Sequence, residues 1–205
     1  MKEIIIFGAT GKTGYLAVRH AVQKEYKVTA FGRSVNKIDF DQSVIKIQGD
    51  ALSEEDVAKA LSSQDCAIVC LGPANLKDQL TLTKGAENIV RAMKQHNVKR
   101  VIFISAAGVG ESWKQIAWYS KLFFKTMLKT IISEHAKEEY IFKESGLDWT
   151  AVRAAVLTNK TSENSITASN TSMVKTITRE GLARFLIDQI GSTEFINQAI
   201  TVRQK

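Results

Sequence analysis

Glu3-Ile4-Ile5-Ile6-Phe7-Gly8-Ala9-Thr10-Gly11-Lys12-Thr13-Gly14 is the stretch whose reading decides the fold. A short apolar run meets three glycines spaced three apart. The run predicts a buried parallel strand, the glycines a tight phosphate-binding turn, and the residues after them the start of a helix. Gly8 lets the chain turn sharply out of the strand, Gly11 lets backbone N–H groups approach a pyrophosphate, and Gly14 lets the helix pack close to the sheet. The helix N-terminus then directs partial positive charge at the phosphates. The spacing departs from G-x-G-x-x-G, so specificity rests on context, an apolar strand before and a helical pattern after. The alternative is a strand–turn–helix that holds no ligand. The ligand class that the stretch points to is a dinucleotide.

Outward from this stretch, apolar runs and helical patterns alternate. Strands are expected at 3–8, 27–31, 44–48, 66–71, 100–105, 149–153 and 198–202. Helices are expected at 13–24, 53–62 and 78–96, as one or two helices across 113–145, and at 179–190. Ser53, followed by Glu54, Glu55 and Asp56, gives a capped, acid-rich first turn. Gly146 falls where a glycine would end the long helix before Trp149. The alternation implies an α/β chain: a Rossmann-type, doubly wound parallel sheet with helices on both faces. At 205 residues it is expected to be one domain, 1–205, with a substrate-side helical segment at about 111–145.

Composition narrows the class. One proline, Pro73, and no low-complexity stretch mean that no linker announces itself. Met1-Lys2-Glu3 leads directly into the first strand, and no apolar run approaches the roughly 18 residues of a membrane span. A cytoplasmic protein is expected, either a monomer or a homodimer. Cys66 and Cys70 would lie on one face of a strand, about 13 Å apart, too far for a mutual disulfide. Their spacing fits no zinc pattern, so inert buried thiols and no metal are expected. The net charge of +7 comes from dispersed lysines, which argues against a nucleic-acid footprint. The exception is Lys114, Lys121, Lys125 and Lys129 among Trp113, Trp118, Tyr119, Phe123 and Phe124. That segment is a solvated helix face, a membrane-surface helix, or the wall of a pocket for an anionic aromatic substrate.

Sites in such sheets sit at the carboxyl ends of the strands, so the residues just after each strand come next. Nineteen positions beyond Gly14, where an NAD-selective site carries Asp or Glu, stands Arg33, with Ser34 and Lys37 close by. A guanidinium grips a 2′-phosphate that a carboxylate would repel, so NADP(H) is favoured over NAD(H). The alternative is an exposed loop arginine. Asp50 either accepts from an adenine amino group or caps a turn. At Leu71-Gly72 the missing side chain lets a cofactor pass close to the backbone, unless Gly72-Pro73 is only a turn. Ser105 closes its strand where a nicotinamide ring would end. It is either a donor and proton relay or a plain hydrogen-bonding residue.

Taken together, these residues resemble the atypical, NmrA-like short members of the short-chain dehydrogenase/reductase family, and within it the NADPH-dependent flavin reductase and biliverdin IXβ reductase group. The resemblance runs through Gly8 to Gly14, Arg33-Ser34, Gly49-Asp50, Lys84 to Val90, Asn97 to Val101 and Glu144 to Arg153. It implies NADP contacts from Gly8, Thr10, Gly11, Lys12 and Thr13. It implies Arg33, Ser34 and Lys37 at the 2′-phosphate, Asp50 and Ala51 at the adenine, and Leu71 and Gly72 mid-cofactor. Ser105 and the backbone of Ala154, Ala155 and Val156 would lie near the nicotinamide. The implied chemistry is direct hydride donation to a planar acceptor such as a flavin, quinone or tetrapyrrole. Two departures stand out: Ala154 where related chains usually carry proline, and a segment at 111–130 richer in aromatics and lysine.

The ordinary dehydrogenase dyad, Tyr with Lys four residues later, is missing: Tyr15, Tyr26, Tyr119 and Tyr140 are followed at that spacing by Arg19, Ala30, Phe123 and Glu144. A proton would come from solvent, Ser105 or His135, the last being otherwise a lone surface histidine. Trp113, Trp118 and Tyr119 are expected to roof the substrate pocket. The expected function is an NADPH-dependent reductase, and the alternative is a non-catalytic NADP(H)-binding sensor on the same fold.

Overall fold

The structure, a computed structural model, describes residues 1–154, 156–160 and 166–204, without the side chains of residues 120 and 123–125. Ile4 to Phe7 are fully buried because β1 (Glu3–Phe7) lies in mid-sheet. α1 (Lys12–Gln23) carries the chain back to β2 (Lys27–Gly32), the parallel neighbour of β1, and β3 (Ile45–Gln48) pairs beyond it. α2 (Glu54–Ala60) then returns the chain to the other side of β1, where β4 (Cys66–Val69) pairs in parallel. α3 (Thr81–Gln95), β5 (Arg100–Ala106), α4 (Lys121–Thr126), α5 (Lys129–Lys143) and β6 (Asp148–Ala154) continue outward. After β7 (Leu157–Thr158), β8 (Ile166–Ala168) and β9 (Ile177–Thr178), α6 (Arg179–Asp188) leads to β10 (Gln198–Gln204). The sheet order is β3-β2-β1-β4-β5-β6-β10-β8. Winding reverses between β1 and β4, which makes the carboxyl ends of these strands the topological switch point.

The period-2 alternation of β1 assigns its two faces to two cores. Ile4 and Ile6 pack with Ala17, Val18 and Ala21 of α1 and Leu182, Leu186 and Ile187 of α6. Ile5 and Phe7 face Val57 of α2, Ile89 and Met93 of α3 and Phe142 of α5. Each fully buried side chain of this size contributes roughly 1.5–3 kcal/mol, so both faces of the sheet are committed. Ser53 caps α2 by accepting from the Asp56 N–H at 3.3 Å. Gly146, at φ +74°, ends the run of α5 before β6.

The sheet is parallel as expected except at its outer edge, where β8 runs antiparallel to β10. Its three residues carry too short a pattern to register as a strand. The helices expected across 113–145 are two, α4 and α5, but they do not fill the segment. It begins as 3₁₀ turns at Gly110–Gln115 and Trp118–Ser120, followed by the short α4 and then α5. Gln115 explains part of the break. Its side chain is buried, donating to the Ser169 carbonyl at 3.0 Å and accepting from the Thr201 hydroxyl at 2.7 Å. That tether ties the first turn to the β8–β10 side. Among the described residues, no helix is long and apolar enough to cross a membrane.

Candidate functional site

A cleft of about 540 Å³ lies over the carboxyl ends of β1 to β5, at the switch point. Its floor is the glycine turn. Gly8 sits at φ +73°, and a Cβ there would stand 2.5 Å from the Cys70 carbonyl oxygen. A Cβ on Gly14 would stand 2.2 Å from the Gly8 carbonyl oxygen, so only glycine lets α1 approach this closely. The first helical bond runs from the Tyr15 N–H to the Gly11 carbonyl, and Gly11 offers no side-chain cap. The N–H groups of Lys12, Thr13 and Gly14 therefore have no acceptor within the helix, which is the arrangement that receives an anion.

Around this floor the expected residues fall into two groups. Gly8, Thr10, Gly11, Lys12, Thr13 and Arg33 line the cleft, as do Asp50, Ala51, Leu71, Gly72 and His135. Arg33 is exposed at the mouth and has no hydrogen bond or ion pair among the described residues. Ser34 and Lys37 belong to the turn that follows and do not line the cleft. Asp50 closes its turn, accepting from the Leu52 N–H at 3.0 Å, and also lines the cleft. Asn88, which sequence reasoning passed over, is fully buried and donates to the Ala51 carbonyl at 3.0 Å, fixing that wall from α3.

At the β5 end the geometry differs from expectation. His135 is not a surface histidine. It is 7% exposed, and its Nδ1 lies 2.9 Å from Glu138 Oε2. Burial pushes the Glu138 carboxyl above the ordinary carboxylate range, against the opposing pull of the His135 hydrogen bond. Ser105 does not line the cleft. Its hydroxyl donates to Glu139 Oε1 at 2.5 Å, and Arg153 grips the same carboxylate from Nε at 2.9 Å and Nη2 at 2.7 Å. Glu134 accepts from the Thr83 hydroxyl at 2.7 Å. α5 thus places one carboxylate on α3, one on His135, and one across β5 and β6. Leu157 and Arg179 complete this end of the lining.

The aromatic roof is a correction. Trp118 and Tyr119 are 83% and 72% exposed and pack edge to face on each other at 6.0 Å. Trp113 lines a separate apolar hollow with Val109, Ile132 and Ala136. The 3₁₀ turns leave Trp118 and Tyr119 in solvent and Trp113 at the separate hollow, away from the cleft. Ala154 is buried with its carbonyl taken by the Ala107 N–H at 2.8 Å, and Val156 is 60% exposed; neither lines the cleft. Ala155 lies outside the described residues.

A family model described as NAD(P)H-binding matches residues 8–193, from the glycine turn to just past α6. The chain belongs to the NAD(P)H-binding family. Among relatives of this NAD(P)H-binding chain, an uncharacterised chloroplastic protein of Arabidopsis thaliana is 28% identical over 169 residues, which cover 77% of the chain. The chain spans 60% of that relative's length. A short-chain dehydrogenase/reductase of Veillonella parvula, solved in complex with NADP, has a TM-score of 0.83 at 19% identity, covering 99% of this chain and 94% of that one. The anaerobillin reductase ChuY of Escherichia coli O157:H7 has a TM-score of 0.81 at 19% identity, covering 98% of this chain and 97% of that one. At these identities the solved structures establish the shared Rossmann fold.

Proposed function

We propose that this NAD(P)H-binding chain is an NADPH-dependent reductase that delivers hydride to a planar acceptor such as a flavin, quinone or tetrapyrrole-like molecule. The observation that carries the reading is the pair at the β5 end of the cleft: His135, buried on the lining and held by Glu138. Arg33 sits beyond β2, three interstrand spacings away from Ile104 on β5, which is roughly 14 Å. A dinucleotide laid along the strand ends would put its 2′-phosphate at Arg33 and its nicotinamide beside Ile104 and His135.

When bound, the nicotinamide cofactor supplies the hydride. The chain's own residues do the rest. The free N–H groups at the start of α1 hold the pyrophosphate. Arg33 grips the 2′-phosphate that NADH lacks, and so favours NADPH. Leu71, Ile104 and Leu157 offer an apolar wall against which a flat ring can lie. Glu138 orients His135 through Nδ1, so that Nε2 can hold a proton for the reduced acceptor. The NADP complex of the Veillonella neighbour lends support to the cofactor, and the ChuY activity lends support to a tetrapyrrole acceptor.

A second reading, an NADPH sensor without turnover, is favoured by one observation: the Ser105 hydroxyl is committed to Glu139 and no Tyr/Lys dyad stands in for it. Purified protein mixed with NADPH and FMN, a quinone or biliverdin, followed at the nicotinamide absorbance band, separates the two. Steady oxidation that an Arg33→Glu variant loses supports the reductase. Tight NADPH binding with no turnover on any acceptor in the panel sinks it in favour of the sensor.

A further inference from the structure

α1 carries Lys12, Tyr15, Leu16 and Arg19 at i, i+3, i+4 and i+7, one stripe along the helix. Such a stripe beside a packed neighbour is ordinarily apolar. Here it borders a second cavity, of about 700 Å³, between α1 and α6. From α6 come Arg179 and Arg184, and from the chain after β7 comes Lys160. Five cations thus line one cavity. Lys12, Arg19, Lys160 and Arg184 have no hydrogen bond or ion pair among the described residues. Among the described residues, Arg179 is tied only to neutral groups, the Leu157 carbonyl at 3.3 Å and Asn159 Oδ1 at 2.6 Å. Among the described residues the single carboxylate on the lining is Glu180, which lies 2.8 Å from His20 Nε2. Like charges gathered without counter-charges cost stability, and an anion in their midst offsets that cost.

We propose that this groove is a binding site for a small polyanion, distinct from the dinucleotide cleft and joined to it through Lys12 and Arg179, which line both. Lys12 and Arg19 are two helical turns apart, about 10 Å, so one compact phosphate cannot satisfy both. The ligand carries at least two anionic groups. The arginine forks favour phosphates or carboxylates, which they bind bidentately. Tyr15 and Leu16 supply an apolar wall between the charges.

The test uses the full chain saturated with NADPH, so that the cofactor cleft is filled, titrated calorimetrically with inorganic tripolyphosphate or with citrate at 150 mM salt. Saturable binding of either is expected, and the tighter one assigns phosphate or carboxylate chemistry. The double variant Arg19→Glu/Arg184→Glu should weaken that binding about tenfold or more while leaving NADPH affinity within about twofold. Both side chains are exposed, and Arg19→Gln/Arg184→Gln, expected to fall between, guards against a folding defect. Binding that NADPH abolishes by competition, binding indifferent to both variants, or no binding of either anion overturns the proposal.

Discussion

Under the proposed function, Arg33 is one side chain whose charge would select between two cofactors. Among the described residues it has no hydrogen bond or ion pair at the cleft mouth, so on this reading its reversal would turn attraction for a 2′-phosphate into repulsion. Arg33→Glu should lower NADPH affinity by about 1.5–3 kcal/mol, the worth of a hydrogen bond to a charged group, and leave NADH affinity nearly unchanged. Fluorescence titration with each nucleotide checks this, and equal losses for both would defeat the 2′-phosphate assignment. His135 and Glu138 make a second prediction, in pH. Burial holds the Glu138 carboxyl above its ordinary value, so the native chain keeps this proton more tightly than the unfolded chain does. Stability tied to this group is therefore fully present below the unfolded carboxyl's pKa, about 4.3, and is lost as pH rises through the raised native value. Glu138→Gln should remove that decline. The difference in urea midpoint between variant and wild type should move in the variant's favour from pH 4.5 to pH 8, and a constant difference would refute the argument. The place of Arg33 at the cleft mouth was legible from sequence because its position is fixed by a short count from Gly14. The burial of His135 was not, since it depends on how α5 docks on α3 and β5.

At the scale of elements, the entry to α3 is set by Asp78. Its carboxylate accepts from the N–H groups of Ala74, Leu80 and Thr81 and from the Thr81 hydroxyl. Burial works to raise its pKa, but these four hydrogen bonds together leave it below the ordinary carboxylate range. The bonded, ionised form stabilises the helix start above the unfolded pKa, about 3.9, and that contribution is lost as pH falls through the lowered native value. Asp78→Ala should cost about 1 kcal/mol at pH 7, as lost caps do, and less near pH 2. Thermal unfolding at the two pH values measures it. Because Pro73, Ala74 and Thr81 line the cleft, the same variant should also loosen dinucleotide binding. The helices and most strands were legible because their patterns run long enough to show a period. The segment at 111–130 was not. Its aromatic and lysine content suits a helix face, but Gln115 spends its side chain on Ser169 and Thr201, partners that only the folded sheet brings near.

At the scale of the whole molecule, the cores on either side of one sheet bury Cys66 fully and Cys70 in part, where it meets the cleft. Burial pushes the Cys66 and Cys70 thiols up to about 12, so almost none is thiolate near neutral pH. Cys66 in native protein at pH 8 should react with iodoacetamide about a thousandfold more slowly than in chain unfolded in urea, three pH units of lost thiolate. Rapid labelling of Cys66 in native protein would show that β4 opens locally rather than with the whole sheet. Global features of this kind were legible in outline, since alternating strands and helices allow few topologies. The α1–α6 groove was not: Arg19 and Arg184 lie far apart in the chain, and neither stretch alone hints at the other.

The antiparallel β8 has a consequence for association. Without it, seven-residue β10 would end the sheet with a long row of open backbone groups, a template for pairing with another chain. Three-residue β8 pairs with Val202 to Gln204, Ser169 and Asn170 after it take the Thr201 and Ala199 backbone groups, and four-residue β3, with Lys46 reaching to the Ile38 carbonyl at 2.8 Å, finishes the opposite side. Both borders are thus too short to splice well onto a second copy. Any self-assembly of this protein is steered away from continuous intermolecular sheets, the geometry from which fibrils grow, and toward contacts between helices.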